Sequence, residues 1–170
     1  NYLKYSSFED AKENEFAQLI PSKFTLPDPD SGEPIEIQSG TDDNEKHGDG
    51  ASSTQSPVAY TFRMKDRLLR IIDTPGMGDT QGVDIDKENF DKILAHLHNY
   101  KHLHGICLLM KSNETRKTAF FRYCITELLT HLHKSACLNI VFCFTFSRNS
   151  FYGPGEGYAT LRGFLQNDLK

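Results

Sequence analysis

The sequence predicts an α/β fold in three layers, a mainly parallel sheet with one antiparallel strand, covered by helices on both faces. Three observations carry this expectation. First, the strands 68–72, 104–110 and 139–146 are short apolar runs with no polar alternation, as strands buried on both faces should be. Second, amphipathic helical stretches separate them, and strand–helix–strand alternation specifies right-handed crossovers between parallel neighbours. Third, a polar turn joins the first of these strands to an earlier one, adding an antiparallel partner. At 170 residues, with 38% hydrophobic and 25% charged residues, the chain suits one globular domain and excludes disordered, collagenous and coiled-coil classes.

Taken in order, Ser7 to Ile20 reads as a short helix, with Ser7 as N-cap, Asp10 three residues on, and Phe8, Ala11, Phe16, Leu19 and Ile20 as its apolar positions. SKFTLPDPD follows as an extended segment stopped by two prolines, and EPIEIQSG alternates like an exposed edge strand. Residues 39 to 56 consist of turn formers and charges and read as a long loop. Val58 to Met64 and Leu68 to Ile72 form a hairpin around Lys65-Asp66-Arg67. A helix is expected from about Asp86 to His98, with Phe90, Ile93, Leu94 and Leu97 on one face. A second runs from about Glu114 to His133, with Phe120, Phe121, Cys124, Ile125, Leu128, Leu129 and Leu132 at helical spacing. The glycine-rich run at 153 to 157 reads as a mobile turn, leading into an amphipathic stretch around Leu161, Phe164 and Leu165.

Charge and cysteine usage narrow the function. Between Asp28 and Gly50 eight acidic residues face Lys46 alone, which reads as a solvated loop and argues against binding a phosphate backbone, so no nucleic-acid partner is expected. Cys107, Cys124, Cys137 and Cys143 lie in apolar runs without a C-x-x-C pair, so they read as buried free thiols of a cytoplasmic protein. The start NYLKYSSFED has neither the basic residues nor the apolar core of a signal peptide, and no apolar run approaches the roughly 18 residues of a membrane span. The pairs His96/His98, His102/His104 and His131/His133 have no carboxylate or cysteine at ligand spacing and read as surface histidines.

The strongest chemical signal is Asp73-Thr74-Pro75-Gly76-Met77-Gly78-Asp79, directly after the strand LLRII and before a helix. In an open parallel sheet, ligands bind beyond the carboxyl ends of the strands. A carboxylate there can hold a hydrated Mg²⁺, and a glycine three residues on lets the backbone N–H approach a phosphate with no Cβ in the way.

On these residues the chain resembles the P-loop GTPases of the translation-factor-related class, in particular their septin-like and immune-associated nucleotide-binding branch. The resemblance covers most of the chain from about Ser53 onward. It implies a three-layer P-loop NTPase-like G domain that binds GTP or GDP with Mg²⁺. Asp73, Thr74, Pro75 and Gly76 would be its switch II motif, spanning 73–83, with Gly76 donating its N–H to the γ-phosphate. It also implies a switch I threonine coordinating Mg²⁺. Thr54, nineteen residues before Asp73, is the candidate, and Ser53 the second choice, both within the acidic loop at 28–56.

Three departures from the family pattern shape the expectation. Phe146-Ser147-Arg148-Asn149 stands where N-K-x-D should read guanine, leaving Arg148 and Asn149 as candidate base contacts. Met77 occupies the place of the water-positioning glutamine, which implies slow hydrolysis. No G-x-x-x-x-G-K-[ST] occurs, so the resemblance implies an N-terminally truncated domain whose P-loop lay upstream, with residues 1–5 as the tail of its first helix. The isolated fragment is then expected to be inactive and prone to aggregate. The intact protein would be a slow GTPase, with self-association or effector binding through its switch face, or alternatively a pseudo-GTPase scaffold.

Overall fold

The computed structural model describes residues 5–14, 20–46, 53–77, 83–113 and 119–167. The chain divides into two compact units, Asn1–His96 and Leu97–Lys170, taken here in turn. The described strands form three two-stranded sheets.

In the first unit, α1 covers Phe8–Glu13. Ser7 caps it by accepting the Asp10 N–H at 3.0 Å, and the Asp10 carboxylate reaches back to the Ser6 N–H at 3.1 Å, so two donors at the helix start are satisfied. The helix is shorter than its expected span, and Phe16 and Leu19 lie outside the described residues. Strands β1 (Ser22–Pro27) and β2 (Pro34–Ser39) pair antiparallel from Ser22↔Ser39 to Pro27↔Pro34. Asp28 closes their connection by accepting the Ser31 N–H at 2.7 Å and the Asp30 N–H at 2.9 Å. Those backbone N–H groups favour the ionised carboxyl and hold it below its ordinary range.

Strands β3 (Val58–Met64) and β4 (Arg67–Asp73) form the expected hairpin, in register from Val58↔Asp73 to Met64↔Arg67. Lys65 turns the chain at φ 53, the left-handed conformation tight hairpins use. One expectation is corrected: β4 is not covered on both faces. Leu68 is 68% exposed and Ile71 49%, so side chains on both faces of β4 reach solvent, and among the described residues β4 pairs with β3 alone. Helix α2 (Val83–Leu97) buries Asp86, Asn89, Phe90 and Ile93, the i, i+3, i+4, i+7 stripe of one face.

In the second unit, β5 (Ile106–Lys111) and β6 (Ile140–Thr145) pair in parallel, with Ile106↔Ile140 and Lys111↔Thr145 at the ends of the register. Between them lies α3 (Ala119–His131), which buries Cys124, Ile125 and Leu128 and makes this a strand–helix–strand unit. A 3-10 turn at Ser147–Ser150 leads to α4 (Gly155–Asn167), whose Leu161 and Phe164 are buried.

The second unit corrects two further expectations. Along β5 and β6 burial alternates, so one face of the pair stays open and Cys107 and Cys143 are exposed on it. Cys137 is exposed in the 3-10 turn Lys134–Asn139, and only Cys124 is buried. The run at 153 to 157 is in part helix, since α4 begins at Gly155. The Gly157 N–H donates to the Ser112 carbonyl at 2.8 Å, which draws the helix start against the end of β5. Two glycines permit that approach. A Cβ on Gly155 would sit 2.6 Å from the Ser112 oxygen, and one on Gly157 2.8 Å from the same atom.

Candidate functional site

The site at the end of the β3–β4 hairpin is assembled by backbone pairing. Val58 faces Asp73 in the register, so whatever precedes Val58 is brought towards the carboxyl end of β4. The acidic loop is ordered on both sides of that approach. The Asp42 carboxylate accepts the Asn44 N–H at 2.8 Å, a local turn just before the paired segment. Residues 44–46 then pair antiparallel with 53–55: Lys46 N–H donates to the Ser53 carbonyl at 2.8 Å and Gln55 N–H to the Asn44 carbonyl at 2.9 Å. The Asn44 side-chain amide adds a bond to the Ser56 carbonyl at 3.0 Å. Glu45 and Thr54 face one another across this bridge.

The result is a cluster of three oxygen-bearing side chains. Thr54 Oγ1 lies 3.4 Å from Asp73 Oδ2 and 3.3 Å from Glu45 Oε2. A hydroxyl has one proton and can donate to only one of two carboxylates at a time. Both distances also exceed the roughly 2.5–2.7 Å of a strong hydroxyl–carboxylate bond. The second Glu45 oxygen, Oε1, is buried without a hydrogen-bond partner among the described residues. Two carboxylates converging on one hydroxyl, with a buried oxygen left unsatisfied, form an all-oxygen donor set that fits a hard divalent cation such as Mg²⁺. Among the described residues no group of three or more His, Cys, Asp or Glu side chains is arranged to hold a metal, so the threonine hydroxyl is needed to complete this set.

The concentration of negative charge is felt nearby. Burial, and then the charges of Asp73, Glu45 and Asp42, push the Tyr60 phenol above its ordinary value of 10.0. The folded protein therefore keeps this proton where the unfolded chain has lost it. The stabilisation is present in full below pH 10.0 and is lost as pH rises through the folded value. Tyr60→Phe is accordingly expected to flatten the alkaline fall in stability, measured by denaturant unfolding at about pH 9 and about pH 11. Parallel curves for the two proteins would exclude the effect.

Of the residues singled out in the sequence, Thr54 and Asp73 are thus brought together. Thr74 and Gly76 are exposed just beyond Asp73 while Pro75 is buried, and Met77 is 38% exposed. Gly78 and Asp79 lie outside the described residues. Ser53 is exposed and accepts the Lys46 N–H through its backbone. Arg148 and Asn149 belong to the second unit, both exposed in the 3-10 turn after β6. Sequence reasoning missed Glu45, because composition marks it as one acid among eight and no alternation announces the bridge that places it opposite Thr54.

No known family profile matches the chain, and no solved structure gives a significant match. Over 98 residues the chain is 31% identical to a Dictyostelium discoideum protein named GTP-binding protein A, a match that takes in 58% of this chain and 22% of that protein. The chain therefore spans about a fifth of the length of this curated relative. Among the described residues no helix is long and apolar enough to cross a membrane.

Proposed function

We propose that this chain is the larger part of a G domain, a guanine-nucleotide-binding switch of the P-loop GTPase class, with its Mg²⁺ site at the carboxyl end of β4. The observation that carries the reading is the approach of Thr54 Oγ1 to Asp73 Oδ2, two residues nineteen apart in sequence. The similarity to a protein named for GTP binding supports the choice of nucleotide.

Bound there, Mg²⁺ would offset the charge of the nucleotide phosphates. The chain's own part is to supply and aim oxygens. Asp73 offers a carboxylate from the end of a paired strand, Thr54 a hydroxyl from the loop, and Glu45 a second carboxylate whose Oε1 has no hydrogen-bond partner among the described residues. Gly76, exposed and without a Cβ, lets a phosphate approach the backbone beyond Asp73. Met77 has no group able to orient water, so turnover by this chain's residues alone is slow. The same methionine favours a second reading, a scaffold that binds nucleotide without turning it over.

Calorimetry of GTP binding to the full-length protein, with Mg²⁺ and again with excess chelator, tests the proposal. Binding that depends on Mg²⁺ is expected, and its absence would sink the reading. Single-turnover hydrolysis then separates switch from scaffold, since turnover lost in Asp73→Ala is incompatible with the scaffold.

A further inference from the structure

The open face of the β5–β6 pair carries two thiols that have no part in the nucleotide-binding reading. The register sets Cys107 opposite Val141 and Leu109 opposite Cys143, so the two cysteines are diagonal neighbours on one face of two parallel strands. Both are free and exposed, and their thiols lie within hydrogen-bonding reach of one another. Leu109 and Val141, which complete this face around them, are exposed as well.

Two thiols in contact can be joined by a disulfide or bridged by a metal ion, and strand geometry decides between the two. Strands about 4.8 Å apart, with a rise of about 6.6 Å over two residues, separate diagonal Cα atoms by roughly 8 Å. A disulfide spans about 4.4–6.8 Å, and beyond about 7 Å it cannot close without backbone movement. The ladder runs unbroken from Ile106↔Ile140 to Lys111↔Thr145, on both sides of the pair, and resists that movement. A bridging ion needs no such approach, because it inserts two metal–sulfur bonds into the span, each about 2.3 Å in the case of zinc.

The number of donors then selects the ion. Among the described residues no group of three or more His, Cys, Asp or Glu side chains is arranged to hold a metal, so the two thiols gain no third ligand of that kind. Zinc takes four protein ligands in structural sites and three even in catalytic ones, so a pair of thiols does not suffice for it. Cu⁺ is the soft ion that thiolates select, and two sulfurs on opposite sides complete its coordination. We propose that Cys107 and Cys143 form a two-coordinate Cu⁺ site on the open face of β5 and β6. On binding, each sulfur forms one bond to copper and its thiol proton passes to solvent, with no change in oxidation state of copper or sulfur. The neighbouring Leu109 and Val141 offer no side-chain oxygen to a harder cation.

The test is anaerobic titration of the full-length protein with Cu⁺, held reduced by ascorbate, against the coloured chelator bathocuproine disulfonate, repeated with Cys107→Ser, Cys143→Ser and Cys137→Ser. The wild type should withdraw one equivalent of Cu⁺ more than either Cys107→Ser or Cys143→Ser, in which affinity at this site should fall by at least about a hundredfold. Cys137→Ser, which alters an exposed thiol in the 3-10 turn before β6, should match the wild type. X-ray absorption at the copper edge of the loaded wild type supplies a readout independent of the variants, and should show two sulfur neighbours and no others. Equal retention of Cu⁺ by the wild type and both variants overturns the site, as does a nitrogen, an oxygen or a third sulfur in the copper shell.

Discussion

Asp73→Asn in the full-length protein is expected to weaken Mg²⁺-dependent GTP binding by at least about a hundredfold. The estimate follows from the proposed position: partners one step removed from a metal typically contribute 10- to 100-fold in affinity, and the proposal makes Asp73 a direct ligand. Asparagine keeps the shape and one oxygen but removes the charge. Among the described residues the side chain of the half-exposed Asp73 is met only by the Thr54 hydroxyl, at a long 3.4 Å, so the substitution should leave the fold intact. Glu45→Gln serves as the graded comparison. It removes charge from the loop side of the cluster, where the carboxylate lies 3.3 Å from the Thr54 hydroxyl, and should cost about tenfold. The readout is calorimetry against Mg²⁺ concentration. Wild-type affinity in Asp73→Asn would place the metal elsewhere and remove the basis for the proposed site.

Gly155→Ala should destabilise the second unit by about 3 kcal/mol, the sum of two effects that can be separated. The first is conformational: Gly155 has φ +59, where a Cβ costs about 1–2 kcal/mol. The second is steric, since the new Cβ would meet Asn113 Oδ1 at 2.5 Å and the backbone oxygen of Ser112 at 2.6 Å. The Asn113 side chain can swing away, but the Ser112 carbonyl is held by the Gly157 N–H and cannot yield without breaking the junction of β5 and α4. Gly32→Ala isolates the first effect, because Gly32 has φ +72 and nothing within 4 Å of the added atom. Gly157→Ala isolates the second, with a Cβ 2.8 Å from the Ser112 oxygen at an ordinary φ. Denaturant unfolding followed by circular dichroism should rank Gly155→Ala as the most damaging of the three. Equal losses for Gly155→Ala and Gly32→Ala would show that the junction relaxes freely.

These junctions also show which features a sequence can disclose. The β3–β4 hairpin was legible because its determinants are local: two apolar runs, a polar turn, and a period-two geometry that needs no distant partner. Helices α2 and α3 were legible through their apolar faces. What alternation could not disclose was coverage. Leu68 and Ile71 have the composition of buried strand residues, yet burial depends on what lies opposite, which the chain's own period does not encode. The cysteines show the same limit, since Cys107 and Cys143 lie in apolar runs but on the open face of a two-stranded pair. At the site, Asp73 announced itself through its motif, whereas Thr54 was pointed to by the family resemblance, which implies a threonine upstream of the hairpin. Glu45 depends on a single isolated bridge made by backbone groups, which any residue could make, so no side-chain pattern marks it. The glycines at 155 and 157 were visible as glycines, but their purpose, a close approach to Ser112, exists only in three dimensions.

The register of the β3–β4 hairpin has a dynamic consequence. Asp73 and Val58 form its last pair, at the end farthest from the Lys65-Asp66 turn. A two-stranded ribbon frays from its open end, so the site occupies the part that opens at least cost in free energy. The bridge between Glu45 and Thr54 lies just beyond that end and clasps it. Breathing of one ribbon tip, with the turn still closed, is therefore enough to part the three oxygens, and an ion bound as proposed would come and go without the rest of the first unit opening.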